Sequence, residues 1–369
     1  MAAEPSFDLP LWNEQSKGRL QGQLRKSSRS GFTRRYKMQH TLFVGDLTDA
    51  ANLAKFRATA VGAMKPYLGM IRTTVNMTYK TLHEVVVIDA NAYIGARECS
   101  LRAGYSYDNG ALKILISRPK KKLDGEGALP GIVLASPIGV DAAPVEDWDF
   151  NGRAMAGAYR AVVCNVGYRA AGPEDPMPAG MLDMLAGLKY MIARADELGI
   201  DKSRIAIACQ SAGAHVACPL PLELAARGEA HLVKLVVMAS PGPTPFGSAL
   251  LGPYDAMPPW VAHCTRTVCL EQYKVIAGPK WQELYESKDP LLHCHHAPRE
   301  LLAKLPPHIL FSAEFDDFRS IHEEYAKKLH DAGALRDFLI LPGGCHDDTQ
   351  LAPLLNKSQW NLATVKKHL

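Results

Sequence analysis

Long apolar runs are missing from these 369 residues: no stretch of eighteen apolar side chains occurs, so no membrane-spanning helix is expected. The segment from Met1 to Asp8 lacks the basic-then-apolar pattern of a secretory leader, and a cytoplasmic protein is the expectation that follows. Also missing is any C-x-x-C pair among the eight cysteines. Cys164 and Cys209 fall inside apolar, strand-like runs, so buried free thiols are expected rather than a disulfide framework. Without a secretory route the sequons at Asn76 and Asn356 carry no information. There is no low-complexity tract and no internal repeat. A composition of 47% apolar and 22% charged residues is that of a globular chain able to bury a sizeable core, which excludes disorder as its main state.

Excess charge is scarce as well, and what exists is local. The net charge is +4, yet residues 17–37 alone hold eight Lys/Arg and no acid, leaving 34 basic against 38 acidic residues elsewhere, a net of −4. No aromatic or glycine pattern interleaves with these cations as in a nucleic-acid-binding segment, so no nucleic-acid partner is expected. Residues 1–40 are read as a basic N-terminal arm, solvated or packed on the chain itself.

From about residue 84 short β-branched runs alternate with longer helical ones. Strands are expected at 84–88, 112–116, 131–135, 161–166, 204–209, 232–239, 308–313 and 337–341. Helices are expected at 180–198 and 319–332, the second with Ile321, Tyr325 and Leu329 every four residues and Gly333 as its stop. Strands apolar on both faces and separated by helices mean a mostly parallel sheet covered on each side, hence an α/β fold. Two stretches break the rhythm: residues 41–80, with an amphipathic run at 50–64, and residues 241–305, rich in Pro, Trp and His. Excursions this long in a compact α/β domain are usually lids or pocket walls, so residues 41–369 are read as one domain carrying a cap made from both.

The chemistry concentrates in Arg204-Ile-Ala-Ile-Ala-Cys209-Gln210-Ser211-Ala212-Gly213-Ala214-His215, an apolar strand that turns sharply into a helix with Ser211 at the turn. A nucleophile elbow needs small residues two before and two after the serine, because strand and helix backbones approach closely there. Gly213 meets that need and Cys209 meets it less well. A serine hydroxyl is a weak nucleophile until a base takes its proton, and an acid must hold that base in the right tautomer. Of thirteen histidines, His346 is best placed, in the loop Pro342-Gly343-Gly344-Cys345-His346 directly after a strand. The acid should follow the preceding strand, where Glu314, Asp316 and Asp317 are all available, and spacing alone does not choose among them. His215, one turn beyond Ser211, is read as a packed or pocket-wall residue. Cys264, Cys269, His293, Cys294, His295 and His296 fit no standard zinc spacing; they are read as cap lining or surface, with no metal and no cofactor called for.

These segments resemble a known family. Cys-Gln-Ser211-Ala-Gly213, Ser-Ala-Glu-Phe-Asp316 and Pro-Gly-Gly-Cys-His346 are similar to the three triad segments of the hormone-sensitive-lipase-like esterases, the third α/β-hydrolase group. Tyr168-Arg169, Pro173-Glu174 and Asp183, and then Lys288-Asp289-Pro290-Leu291, resemble two further stretches of that family. The likeness covers about residues 80–350 and implies an α/β-hydrolase fold, an N-terminal helical cap, a Ser211–His346–Asp316 triad and a small ester-like substrate. It selects Asp316 over Asp317 by position.

The departure is the oxyanion loop, where the family's histidine and three glycines are replaced by Ser136-Pro137-Ile138-Gly139. The positions of the two donating glycines are Ile138 and Gly139, which keep their N–H groups, and Ala212 supplies the third donor. Ile138 would resist a positive φ if the loop demanded one. Three classes of function follow: hydrolysis of an ester or thioester; acyl transfer, lactone formation or elimination on the same scaffold; and ligand binding with a vestigial triad. Substrate identity and self-association are not legible in the sequence.

Overall fold

A computed structural model describes residues 45–121, 123–140, 142–242, 259–316, 318–344, 346 and 359–369. The basic arm, Asp317 and Cys345 lie outside the described residues, as does 243–258 within the second excursion. Ten strands run β1 Thr81–Ile88, β2 Glu98–Cys99, β3 Arg102–Ser106, β4 Leu112–Pro119, β5 Leu129–Ala135, β6 Val162–Val166, β7 Ile200–Gln210, β8 Leu235–Ala239, β9 His308–Ala313 and β10 Leu335–Leu341. Helices of eight residues or more are α1 Ala50–Thr78, α2 Asp149–Tyr159, α3 Ala179–Ala193, α4 Pro219–Ala226, α5 Pro259–Ala277, α6 Arg319–Asp331 and α7 Gln359–His368.

Eight strands form one sheet in the order β1-β4-β6-β5-β7-β8-β9-β10. β4 is antiparallel to both β1 and β6, and every pairing from β6 to β10 is parallel. Each of the eight strand regions expected from the sequence is present. β5, β6, β8 and β9 are buried along their whole length, as parallel strands covered on both faces must be. Alternate side chains serve opposite faces. Ile132, Leu134, Val163, Ala206, Ala208, Val237, Ile309 and Phe311 pack with α2 and the C-terminal Val365. Val133, Cys164, Ile207, Cys209, Met238 and Leu310 join the larger core under α3, α4 and α6. Each fully buried Val, Leu or Ile contributes roughly 1.5–3 kcal/mol relative to exposure, so the two layers fix the sheet firmly. In α6 the i, i+4 row Ile321, Tyr325 and Leu329 is buried as its spacing predicts, and Gly333 takes φ +76 just beyond the helix.

The helical run near residue 50 is longer than its amphipathic stretch suggests. Asp49 caps it by accepting from the Asn52 amide at 2.9 Å, and it continues to Thr78. Three ties bind this helix and the residues before it to the body. Arg57 donates to the carbonyls of Val140 and Ala171, each at 2.9 Å. Arg72 pairs with Asp149 at 2.7 Å, and the Leu47 amide donates to Glu271 on α5 at 3.2 Å. Among the described residues no helix is long and apolar enough to cross a membrane.

Candidate active site

Parallel strands deliver their C-terminal loops to one edge of the sheet, which is where α/β proteins gather reactive groups. Ser211 follows β7 near the centre of the sheet, Asp316 follows β9, His346 follows β10, and residues 136–140 follow β5. At the end of β7 the chain turns within one residue. Gln210 is extended, Ser211 takes φ +48, and the helical turns Ser211–Gly213 and Ala214–Ala217 start at once. A positive φ on a serine is strained and persists only where the surroundings impose it. Gly213 shows why they do: a Cβ there would stand 2.2 Å from the Ala135 carbonyl oxygen and 2.9 Å from that of Ser136, so only glycine lets this turn lie against the β5 loop.

The structure brings Ser211, His346 and Asp316 into one hydrogen-bonded chain. Ser211 Oγ lies 2.6 Å from His346 Nε2, and His346 Nδ1 lies 3.0 Å from each carboxylate oxygen of Asp316. With Nδ1–H donating to the carboxylate, Nε2 presents its lone pair to the serine hydroxyl. His346 and Asp316 are buried at 4% and 0% exposure, so water neither competes for the pair nor screens it. Burial pushes the Asp316 carboxyl up. The fields of His346 and His322 and the hydrogen bonds from His346 and Ser240 outweigh that and hold it well below the usual carboxylate range. Asp316 therefore stays ionised.

Several residues that sequence reasoning passed over fix this relay. The Phe318 amide donates to Asp316 Oδ1 at 2.9 Å, and the Phe318 ring stands edge-on to His346 with centroids 5.4 Å apart. Ser240, itself at φ +40 on the end of β8, bonds the same carboxylate through its side chain. His322 lies buried behind Asp316, tied to Ser312 at 2.8 Å and to the Pro241 carbonyl. Glu314, one of the three candidate acids, instead accepts from the Gly343 amide at 2.7 Å and so anchors the loop that carries His346. The one sequence signal for this shell was the clustering of acids after β9.

The loop of residues 136–139, the expected oxyanion loop, is closed on itself. Ile138 keeps a negative φ, and the left-handed conformation falls on Gly139 at φ +54, so the β-branched residue is unstrained. The amides of Ile138 and Gly139 converge on the hydroxyl oxygen of Tyr168, at 3.2 and 3.4 Å. Ile138 also donates to the Ser136 carbonyl at 2.7 Å, which in turn accepts from Tyr168 at 2.7 Å. Tyr168 stacks edge-on to His215, whose Nδ1 bonds the Ala212 carbonyl; burial lowers the His215 pKa to about 4, leaving it a neutral wall residue rather than a second base. The neighbouring Arg169 is structural: its backbone amide and guanidinium hold the fully buried Asp183, which also accepts from Tyr107 at 2.8 Å and Asn109 at 2.9 Å.

The histidine-rich stretch is not surface. His293, Cys294 and His295 are buried, and Cys269 is buried on α5, while the side chain of Cys264 lies outside the described residues.

Known proteins resemble this chain to different extents. The alpha/beta hydrolase fold family matches residues 142–349, more than half of the chain. An ethyl acetate hydrolase of Pseudomonas putida is 25% identical over 216 residues, covering 56% of this chain and 62% of that protein. A carboxylesterase of Mycobacterium tuberculosis is 41% identical over 88 residues, or 24% of this chain and 27% of its own length. The chain thus spans less than two thirds of either relative. Among solved structures, a hyperthermophilic esterase from Pyrobaculum calidifontis superposes with TM-score 0.67 at 23% identity, covering 92% of this chain and 96% of that one. A bacterial heroin esterase gives TM-score 0.65 at 22% identity over 87% and 92%. These superpositions establish a shared architecture. With the family match and the motif segments around Ser211, Asp316 and His346, they assign the chain to the alpha/beta hydrolase fold-3 family, the hormone-sensitive-lipase-like group.

Proposed function

We propose that this chain is a serine hydrolase acting on a small carboxylic ester or thioester through Ser211, His346 and Asp316. The observation that carries the reading is the relay from Ser211 Oγ to His346 at 2.6 Å and from His346 to Asp316 at 3.0 Å, built on a strained elbow. In the proposed reaction His346 Nε2 takes the hydroxyl proton as Ser211 Oγ attacks the acyl carbon. The oxygen left negative is held by backbone amides, and His346 hands the proton to the departing alcohol or thiol. Water, activated by the same imidazole, then attacks the acyl-Ser211 ester and frees the serine. Asp316, ionised throughout, keeps the imidazole in the right tautomer and stabilises its cationic form. No cofactor or metal takes part.

Ile138, Gly139 and Ala212 are the proposed oxyanion donors, and they are not equal. Ile138 N–H is already committed twice, to Ser136 and to Tyr168, whereas Gly139 N–H is held by a single long contact of 3.4 Å. Gly139 therefore turns to a substrate oxygen at smaller cost, alongside Ala212 on the turn that follows the serine. Losing one such donor costs roughly 3–4 kcal/mol of transition-state stabilisation. That commitment of Ile138 also favours a second reading, in which the scaffold performs acyl transfer, lactone formation or elimination. We place the cap in about residues 41–80 and 241–305, supported among the described residues by the Arg57 bonds to the loop and the Leu47–Glu271 bond between the two segments. Six buried thiols among the described residues are consistent with a reducing, cytoplasmic setting.

A fluorophosphonate probe, with the modified residue mapped by mass spectrometry, tests the nucleophile. Labelling at Ser211 is expected; labelling elsewhere, or none in folded protein, overturns the proposal. Turnover of a chain-length series of nitrophenyl esters then separates the two enzymatic readings, because a labelled enzyme that acylates without releasing acid belongs to the second.

A further inference from the structure

One buried polar cluster outside the relay is poorly satisfied. His293 and the short turn Cys294–His296 lie between α5 and α6, and one ring nitrogen from each of His293, His295 and His296 lies within 4.8 Å of the others. His293 and His295 are 2% and 1% exposed, while His296 is partly exposed. Among the described residues neither ring nitrogen of His295 has a hydrogen-bond partner, and neither does Nδ1 of His293. The buried histidines His215, His308 and His322 each bond through at least one ring nitrogen. A neutral imidazole carries one donor and one acceptor, so His295 buries both unpaired, a state that native interiors avoid.

We propose that His293, His295 and His296 form a binding site for a borderline divalent transition-metal ion of the zinc type, held by three neutral imidazoles with solvent access at a fourth position through His296. Imidazole nitrogens suit this ion class, and three protein ligands with one open position is a common zinc arrangement. The Tyr273 hydroxyl lies 3.1 Å from His293 Nε2, and in the tautomer with Nε2–H donating to it, Nδ1, which has no partner among the described residues, keeps its lone pair for an ion. Such a partner behind a ligating histidine orients the ring and raises its basicity. The turn itself is braced, with the His293 amide donating to Asp289 at 2.8 Å and the His296 amide to His293 at 2.7 Å.

Burial, then the fields of His296 and Lys288, lower the His293 pKa, and burial, then His296, His293, Lys328 and Lys288, lower that of His295. Glu324 is the carboxylate whose field reaches His296. Cys294 is not in the set: the converging donor atoms are those of His293, His295 and His296. The two lysines oppose a cation, so the site is weaker than a thiolate-lined structural zinc centre. Nitrogens about 2.0–2.1 Å from one ion stand roughly 3.4 Å apart, so the three rings must draw closer together on binding. The ion would clamp the 281–296 segment between α5 and α6.

The test uses the full-length chain without a histidine tag, stripped with a chelator and titrated with zinc by calorimetry and with cobalt(II) by visible absorption. Expected are one equivalent of zinc, the intense ligand-field bands of four-coordinate cobalt, and a Tm that rises with zinc. His295→Leu and His296→Ala should each weaken zinc binding by about tenfold or more. Because His296 is partly exposed, His296→Ala is expected to keep the metal-free Tm, so it carries the test if His295→Leu does not fold. Substoichiometric binding, octahedral-type cobalt bands, or zinc affinity unchanged in His296→Ala overturns the proposal.

Discussion

The two sides of the Ser211 turn solve opposite problems. On the β9–β10 side, every side-chain polar atom of Asp316 and His346 has a partner in the relay or its supporting shell: the Phe318 amide, Ser240, His322 and the Glu314-anchored loop hold the carboxylate and imidazole toward Ser211. On the β5 side, the Ile138 and Gly139 amides and the Ser136 carbonyl are satisfied by one another and by Tyr168, and the Ser136 hydroxyl donates to Asn165. A buried backbone amide without a partner costs about 1–3 kcal/mol, so a loop awaiting an oxyanion must either tolerate that cost or borrow a partner. Here it borrows a tyrosine hydroxyl. The comparison teaches that the proposed relay is in place before substrate arrives, while the proposed donors Ile138 and Gly139 must exchange one partner for another.

The largest expected effects break the relay side. Ser211→Ala should lower ester turnover by about 10⁶-fold with Tm within a few degrees of the parent, because only the nucleophile is lost. Turnover comparable to the parent would mean that another group does the chemistry. Asp316→Asn should cost about 10⁴-fold by presenting the wrong tautomer, whereas Asp317→Asn should be mild. The reverse ranking would show the acid assignment to be off by one residue.

A thermal measurement sharpens the same side. The folded-state pKa of Asp316 is depressed, so ionised Asp316 adds stability that is fully present above the ordinary carboxylate value of about 3.9 and is lost as pH falls toward the folded value. The Tm gap between parent and Asp316→Asn is therefore expected to be widest at neutral pH and to close below about pH 4. A gap independent of pH would remove the ionised-carboxylate account of the relay.

How much of this was legible in the sequence follows from the same contrast. All eight sheet strands and the Ser211 and His346 positions are local signals: β-branched runs, a strand–turn–helix with Gly213, and loops at strand ends; the acid is narrowed locally only to Glu314, Asp316 and Asp317, and the family resemblance selects Asp316. Residues that fix them from afar were silent. Ser240 ends a different strand, and His322 reads as one more residue in an amphipathic helix. Tyr168 carried a family resemblance, but nothing in its own segment shows that its hydroxyl would collect two amides from residues 138 and 139. The stiffness of Ile138 was read as a conflict because the sequence does not reveal which residue bears the positive φ; Gly139 does. The short β2–β3 hairpin, too brief for a periodic signal, went unpredicted.

The smallest effect is expected in the oxyanion loop, where the sign matters more than the size. Replacing Pro137 and Ile138 by glycine restores the backbone freedom this chain lacks relative to its family. If the loop were held in a wrong shape by Ile138, the variant would gain esterase activity. The structure argues for the other direction. Ile138 already sits at a negative φ, so glycine relieves no strain there, and its side chain is 3% exposed, so truncation empties packed core. Two added glycines also raise the entropy cost of holding Gly139 at φ +54 with its amide aimed inward. Turnover should thus fall by about tenfold or less, with a lower Tm, while fluorophosphonate labelling of Ser211 persists because the relay is untouched. A folded variant with clearly higher esterase turnover would break the comparison between the two sides. It would mean that residues 136–139 had been shaped away from attack by water, and it would favour transfer, lactone formation or elimination as the reaction at Ser211.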